Sequence, residues 1–114
     1  MNDDRADALA SQLAPYREHP GVKAALLISR DGFLVAAAAD ESVTAEAVAA
    51  QLGAVVDVAA RLAGELGQEA ATYITFELSA LNAVLSPFGG GLLLALIGTP
   101  DVITLQYGFA GGRV

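Results

Sequence analysis

The sequence predicts an α/β domain with the element order α-β-β-α-β-β-β-α. In two long segments the apolar residues recur every three to four positions, which is the periodicity of helices packed on one side. Between and after these segments, short apolar runs and strict alternation indicate strands. Glycines and prolines separate the segments, and 114 residues is a usual size for a single core. We therefore assign residues 1–114 to one domain.

The N-terminal third predicts a helix followed by a β-hairpin. The helix is expected over residues 3–18, and two apolar runs follow it at 22–29 and 33–39. Asp31-Gly32 lies between these runs, and Asp-Gly in this position is typical of a type I′ turn with positive φ at both central residues. Neither a second acid nor a base or nucleophile lies near Arg30 in the sequence, so we expect a hairpin tip and not a catalytic loop.

The longest helical pattern covers residues 44–66, with Thr44 as its N-cap and Gly67 as its stop. One arc carries the larger apolar residues and is expected to lie on the sheet; it holds Val48, Leu52, Val55, Val56, Ala59, Leu62, Ala63 and Leu66. The other side carries small and acidic residues, namely Glu46, Ala49, Ala50, Gly53, Asp57, Ala60 and Gly64.

The small-residue side of this helix predicts a contact with a second helix. Gly53 and Gly64 each cost about 1 kcal/mol of helix propensity relative to alanine, which favours a packing role for them. Small side chains allow another helix backbone to approach closely. The alternative is that an alanine-rich chain produces such a side without any function. Asp57 and Arg61, four residues apart, are expected to pair on the surface.

The second half of the chain predicts three strands and a short final helix. Residues 72–78 alternate between apolar and polar, and further strands are expected at 81–86 and 92–97, joined by a loop at 87–91. A Thr-Pro-Asp start favours a helix over 99–107. The expected core residues of the sheet are Leu26, Ile28, Ile74, Phe76, Leu78, Val84, Leu94 and Leu96.

The stretch from Leu78 to Pro100 contains no charged residue and is long enough to cross a bilayer. Pro87 and the triple glycine 89–91 divide it into two short apolar pieces, which favours two strands over a membrane helix. We therefore expect no membrane insertion. The N-terminus lacks the basic and apolar profile of a signal peptide, so a cytoplasmic location is expected.

Composition excludes several classes of function. Thirteen acidic and six basic residues give a net charge of −7, which repels the phosphates of nucleic acids. The chain has no cysteine and a single histidine, His19, in a turn, so we expect no metal site. The glycine-rich stretches do not match a phosphate-binding loop, and no base activates a serine. We expect no catalytic residue and no cofactor.

Three stretches resemble the roadblock/LC7 family, and its bacterial MglB-like branch in particular. They are the hairpin sequence GVKAALLISRDG at 21–32, the alanine-rich helix at 44–66 and the apolar strand at 92–97. The resemblance implies a profilin-like sandwich with a five-stranded antiparallel sheet, one helix on one face and the terminal helices on the other. One departure is the final helix, which is longer in the family than the segment 99–107.

The resemblance also implies a function without chemistry of its own. Family members form homodimers by pairing their third strands and packing their second helices together, and they regulate or scaffold small Ras-like GTPases. The alternative is a sensory module, because related profilin-like, PAS and GAF sandwiches hold small ligands in a pocket on the sheet. A sensor would require a sizeable internal pocket with convergent polar groups.

A homodimer is expected from the residues as well. The resemblance implies that strand 72–78 lies at a sheet edge, and little in the sequence protects such an edge, since the strand contains no proline and Glu77 is its only charge. A two-fold axis beside this strand and the small-residue helix side would bury both. Glu46 and Asp57 would then find Arg61 or a backbone donor across the axis. The expected interface comprises Glu46, Ala49, Ala50, Gly53, Asp57, Ala60, Gly64, Tyr73, Thr75 and Glu77.

Overall fold

The computed structural model describes the backbone of residues 2–70 and 73–103. The elements are α1 (Asn2–Arg17), β1 (Val22–Ser29), β2 (Leu34–Ala39), α2 (Ala45–Glu65), β3 (Ile74–Glu77), β4 (Asn82–Gly89), β5 (Leu92–Gly98) and α3 (Pro100–Ile103). This order confirms the sequence prediction. Residue 72 of the third expected strand, and residues 104–107 of the expected final helix, lie outside the described residues.

The strands form a five-stranded sheet in the order β2-β1-β5-β4-β3, and every neighbouring pair is antiparallel. The central strands β1 and β5 are apolar on both sides, which suits strands that are covered on both faces of the sheet. β2 and β3 each have one neighbouring strand and are the two edges of the sheet. The antiparallel architecture is therefore as the sequence and the resemblance indicated.

The core has two layers, one on each face of the sheet. On one face α2 packs over a cluster that includes Leu26, Ile28 and Leu52. On the opposite face α1 and α3 cover a second cluster, in which Leu13, Val84 and Ile103 are fully or almost fully buried. One helix on one face and the terminal helices on the other is the arrangement that the resemblance implied.

Three expected core residues are less buried than predicted. Ile74 and Phe76 are half-buried, and Leu78 is 62% exposed. The reason is their position: β3 is a four-residue edge strand that ends at Glu77, and the backbone of α2 lies closest to β1 and β2. Of the other five, Leu26, Ile28, Val84, Leu94 and Leu96 are all buried as expected.

The β1–β2 hairpin is present, but its turn is not type I′. Gly32 has a φ of 91°, while none of the described residues other than glycine has a positive φ. The Gly32 amide donates to the Ser29 carbonyl at 3.0 Å, and the Ser29 amide donates to the Phe33 carbonyl at 2.9 Å. These bonds close a loop of three residues whose last member is the left-handed glycine, the second commonest hairpin geometry.

The uncharged stretch from Leu78 to Pro100 forms β4 and β5 and not a helix, which confirms the sequence interpretation. β4 extends beyond the expected boundary to Gly89, so the connection to β5 is a tight turn. Gly89, Gly90 and Gly91 all have positive φ, a conformation that glycine adopts without steric cost.

Candidate functional site

The side of α2 that faces the sheet lies between the two sides that the sequence distinguished, the arc of larger apolar residues and the small-residue side. Its buried residues are Ala49, Leu52 and Gly53. At 100° per residue, their mean direction lies roughly 75° from the centre of the expected sheet-facing arc. The larger apolar side is therefore turned toward β3, whereas the exposed small residues lie on the other side of α2.

A close backbone contact explains this orientation. A Cβ placed on Gly53 would lie 2.5 Å from the Cα of Gly32, in the turn of the β1–β2 hairpin. Only two glycines allow a turn and a helix to approach so closely. Ala49 belongs to the same contact, since a Cβ on Gly32 would lie 3.2 Å from the Ala49 carbonyl oxygen. The small residues on this part of α2 thus accommodate the chain's own hairpin.

The other flank of α2 borders an open apolar groove of about 500 Å³, which we call the α2–β3 groove. Helix residues form one wall: Ala47, Val48, Gln51, Leu52 and Val55. The sheet and the β3–β4 turn form the floor and the second wall: Phe76, Leu78, Leu81, Ala83 and Ile97. The loop before α2 closes one end with Ser42, Val43 and Thr44. The lining contains three polar residues and no charged residue.

The apolar surface continues along α2 beyond the groove. Val58, Leu62 and Leu66 are 62%, 59% and 64% exposed, and they follow Val55 at helical spacing. We call these four residues the α2 stripe. Isolated exposed apolar residues are common, but a contiguous groove and stripe mark an interaction surface.

Helix α2 is also the one helix of the described chain whose length and apolar composition would suit a membrane span. These two properties do not by themselves distinguish a membrane span from a helix that is covered by other protein. Ala49, Leu52 and Gly53 are buried against the chain's own sheet, and Asp57 and Arg61 lie in its middle. Charged residues are costly at the centre of a bilayer, so the stripe is better matched to a protein surface.

Strand β3 borders the groove and is an edge of the sheet, so the backbone groups on its outer side are available to pair with another strand. The Leu78 amide donates to the Leu81 carbonyl at 2.9 Å, toward β4. Backbone groups alternate in direction along an antiparallel strand. The N–H and C=O groups of Phe76 and Ile74 therefore also point toward β4, whereas those of Thr75 and Glu77 point away from the sheet. The Thr75 and Glu77 side chains are exposed as well.

The structure places the ten expected interface residues in three groups. Ala49 and Gly53 are buried inside the chain, so they differ from the expectation and are not accessible to a second copy. The exposed small-residue flank consists of Glu46, Ala50, Asp57, Ala60 and Gly64. The exposed edge consists of Tyr73, Thr75 and Glu77.

Arg61 has a partner within its own helix. Its Nη2 lies 2.9 Å from Oδ2 of Asp57, as the four-residue spacing indicated. Both side chains are largely exposed, so the pair contributes little to stability. The expected contact of Asp57 or Glu46 with Arg61 across a dimer axis stays a prediction.

The loop that closes the groove is fixed by Asp40. Its Oδ1 accepts a hydrogen bond from the Ser42 amide at 2.9 Å. This bond and the Ser42 hydroxyl lower the pKa of the Asp40 carboxyl, with smaller contributions from Lys23 and Arg17. The described residues contain no group of three or more His, Cys, Asp or Glu side chains that could hold a metal ion.

Sequence reasoning missed the α2 stripe, since it assigned Val55, Leu62 and Leu66 to the sheet and left Val58 on neither side. One signal was available: the 21 residues of α2 make it roughly 32 Å long, longer than the strands beneath it, which have four to eight residues. Part of a uniformly apolar arc must then extend past the sheet. The rotation of α2 depended on the contact between Gly32 and Gly53, which lie 21 positions apart and which no local pattern connects.

Comparisons with known proteins give a family and a fold. The family model for the Roadblock/LC7 domain matches residues 4–98. No curated protein sequence matches the chain significantly.

Several solved structures share the fold at low sequence identity. The Roadblock/LC7 domain from Streptomyces avermitilis has 18% identity and a TM-score of 0.76, over 88% of this chain and 85% of that one. The gliding protein MglB from Thermus thermophilus has 20% identity and a TM-score of 0.72, over 98% and 84%. Myxococcus xanthus MglB has 17% identity and a TM-score of 0.65; the match covers 70% of this chain and 61% of that longer one.

Proposed function

Because the chain belongs to the roadblock/LC7 family, we propose that it acts as a homodimeric, non-enzymatic regulator or scaffold of a small Ras-like GTPase, in the manner of the MglB-like branch. The observation that carries the homodimer is the α2 stripe beside the α2–β3 groove. A single chain leaves this apolar surface in water, and a second copy offers the same surface to cover it.

A two-fold axis next to β3 would bring both the β3 edges and the α2 helices of two copies into contact. Two β3 strands paired antiparallel would use the outward backbone groups of Thr75 and Glu77 from each copy. The same axis would bring the α2 helices together, and Leu62 and Leu66 of each copy would then cover the groove or stripe of the other. Such an isologous contact is the commonest form of dimer.

The exposed small-residue flank remains a competing contact surface. Glu46, Ala50, Asp57, Ala60 and Gly64 lie on the side of α2 that faces away from the groove. A Cβ on Gly64 would meet nothing within 4 Å, so this glycine has no packing role within one chain. Substitutions on the two flanks distinguish the two surfaces.

The GTPase partner follows from the family resemblance and agrees with the charge of the chain. At a net charge of −7, long-range attraction favours a partner with a basic contact surface. A role as scaffold or regulator needs no catalytic group, and we propose that the chain works in the cytoplasm without a cofactor.

The homodimer is tested by light scattering after size exclusion across nanomolar to micromolar concentration. The expected mass is twice the 11.6 kDa of the chain. A stable monomer at micromolar concentration contradicts the homodimer.

The GTPase is tested with the small Ras-like GTPases of the source genome, each loaded with GDP or with a GTP analogue and captured on the immobilised protein. We expect capture of one nucleotide state in preference to the other. Failure in both states contradicts the proposed GTPase function, whatever the result for the homodimer. The immobilised variant Asp7→Lys with Glu18→Lys is the charge control, because both side chains are exposed away from α2 and the change weakens any attraction that depends only on net charge.

The sensory alternative makes a different prediction. A ligand-binding sandwich would hold its ligand in an enclosed space with convergent polar groups, whereas the α2–β3 groove is open along one side and nearly free of polar groups. A thermal-shift screen with small metabolites would favour the sensory reading if one of them raised Tm in a saturable manner.

A further inference from the structure

A second cavity lies on the opposite face of the sheet, between the end of α1 and α3. It has a volume of about 200 Å³, and its walls include Pro15, Tyr16, His19, Val22, Val102 and Ile103. Neither the groove nor the proposed dimer uses this face. The walls are mostly apolar, and Tyr16 and His19 are the lining residues whose side chains carry a polar group.

We propose that this cavity is a docking site for the chain's own C-terminal segment, residues 104–114, and that it binds the side chain of Tyr107. The sequence of this segment is TLQYGFAGGRV. The inference is independent of the dimer and of the GTPase, because it concerns a different surface.

The position of the cavity along the chain supports this occupant. Ile103, which forms part of the wall, is the residue after which the segment begins. Tyr107 is the fourth residue after Ile103 in the sequence, and an extended chain spans at most about 14 Å over four residues. Tyr107 is therefore within reach without any change in α1 or α3.

The size of the cavity fits one aromatic ring. A cavity of about 150 Å³ in a protein core holds a benzene molecule, so about 200 Å³ accepts a phenol ring. The apolar walls match the ring. A tyrosine hydroxyl both donates and accepts hydrogen bonds, and Tyr16 and His19 supply polar groups that it can meet.

The composition of the segment also favours docking. It contains Leu105, Tyr107 and Phe109, and its one charged side chain is that of Arg113. Segments that remain solvated are typically rich in charge and poor in aromatic residues. Gly108 directly after Tyr107 gives the backbone the freedom to turn beside the cavity.

The chain contains no tryptophan, so a single Tyr107→Trp substitution reports on this position alone. We expect a blue-shifted emission and quenching by acrylamide that is at least threefold weaker than in the control variant Phe33→Trp. Phe33 is 70% exposed at the hairpin tip and provides the matched reference for a solvated indole. Red emission with quenching equal to the control overturns the proposal. Protection in Phe109→Trp without protection in Tyr107→Trp overturns the choice of Tyr107.

A cross-link distinguishes the same chain from a second copy. The chain has no cysteine, so His19→Cys with Gly108→Cys creates one possible disulfide. We expect it to form within one chain, as judged by the mass under denaturing, non-reducing conditions. Phe33→Cys with Gly108→Cys is the control, since Phe33 lies at the far end of β1, about 26 Å away for eight residues. Equal intramolecular yields in both pairs, or a cross-link between chains only, overturns the proposal.

Discussion

Gly32 and Gly53 meet backbone to backbone, and this contact sets the orientation of α2 on the sheet. A Cβ on Gly53 would come within 2.5 Å of the Gly32 Cα and 2.7 Å of its nitrogen. Gly32 itself has a φ of 91° in the hairpin turn, so neither glycine can be replaced without strain. The orientation of the α2 stripe toward β3 depends on this one pair.

We therefore expect Gly53→Ala to destabilise the protein, although alanine is the better helix former. Overpacking against backbone costs about 1–3 kcal/mol, which exceeds the gain in helix propensity of about 1 kcal/mol. Gly64→Ala is the matched control, because its Cβ would meet nothing within 4 Å. It should stabilise by about 0.5–1 kcal/mol. Urea denaturation followed by circular dichroism measures both, and equal effects of the same sign would contradict the role of the Gly32–Gly53 contact.

The two flanks of α2 are compared by Leu62→Glu and Ala50→Glu. Both side chains are exposed in one chain, so neither change should unfold it. If the α2 stripe forms the dimer contact, Leu62→Glu buries a charge there and raises the dimer dissociation constant by at least tenfold, or about 1.4 kcal/mol. Ala50→Glu should leave the dimer intact. The reverse result would assign the contact to the small-residue flank.

The edge pairing of β3 is tested by Thr75→Pro. The Thr75 amide points away from β4, so its loss leaves the pairing of β3 with β4 in place. Proline on the outer side of an edge strand removes a donor that a second copy would use. We expect a weaker dimer in light scattering and little change in the circular dichroism spectrum of the monomer. A dimer of unchanged affinity would show that β3 does not pair across the axis.

Asp40 gives the loop before α2 a dependence on pH. Its pKa is lower in the folded chain than the ordinary value of 3.8, because the ionised carboxyl accepts the hydrogen bond from Ser42. Its contribution to stability is therefore present above about pH 4 and lost as the pH falls through the lowered folded pKa. Asp40→Asn should reduce the urea midpoint at pH 7, and its difference from the wild type should shrink as the pH falls below about 4. A constant difference between the two proteins across this range would contradict the charge as the cause.

The sequence predicted the elements and their order because each depends on local periodicity and on stop signals such as His19-Pro20-Gly21. It also indicated the unprotected edge at β3. It predicted that the arc of large residues lies on the sheet, whereas the buried residues Ala49, Leu52 and Gly53 lie between that arc and the arc of small residues. Gly53 was recognised as a packing residue, but its partner was Gly32 in the chain's own hairpin. Contacts between distant positions of this kind leave no trace in a single local pattern.

If the proposed homodimer covers the α2 stripe, the exposure of this stripe in a single chain links the amount of the protein in a cell to how long each copy survives. A newly made chain that has found no partner displays Val58, Leu62 and Leu66 to water. Chaperones and proteases select clients by such exposed apolar segments, and the fraction of chains that display them falls as concentration rises above the dissociation constant. Copies made in small numbers would thus be removed faster than copies made in large numbers. Pulse-chase decay should be concentration-dependent for the wild type, and Leu62→Glu should be short-lived at every expression level.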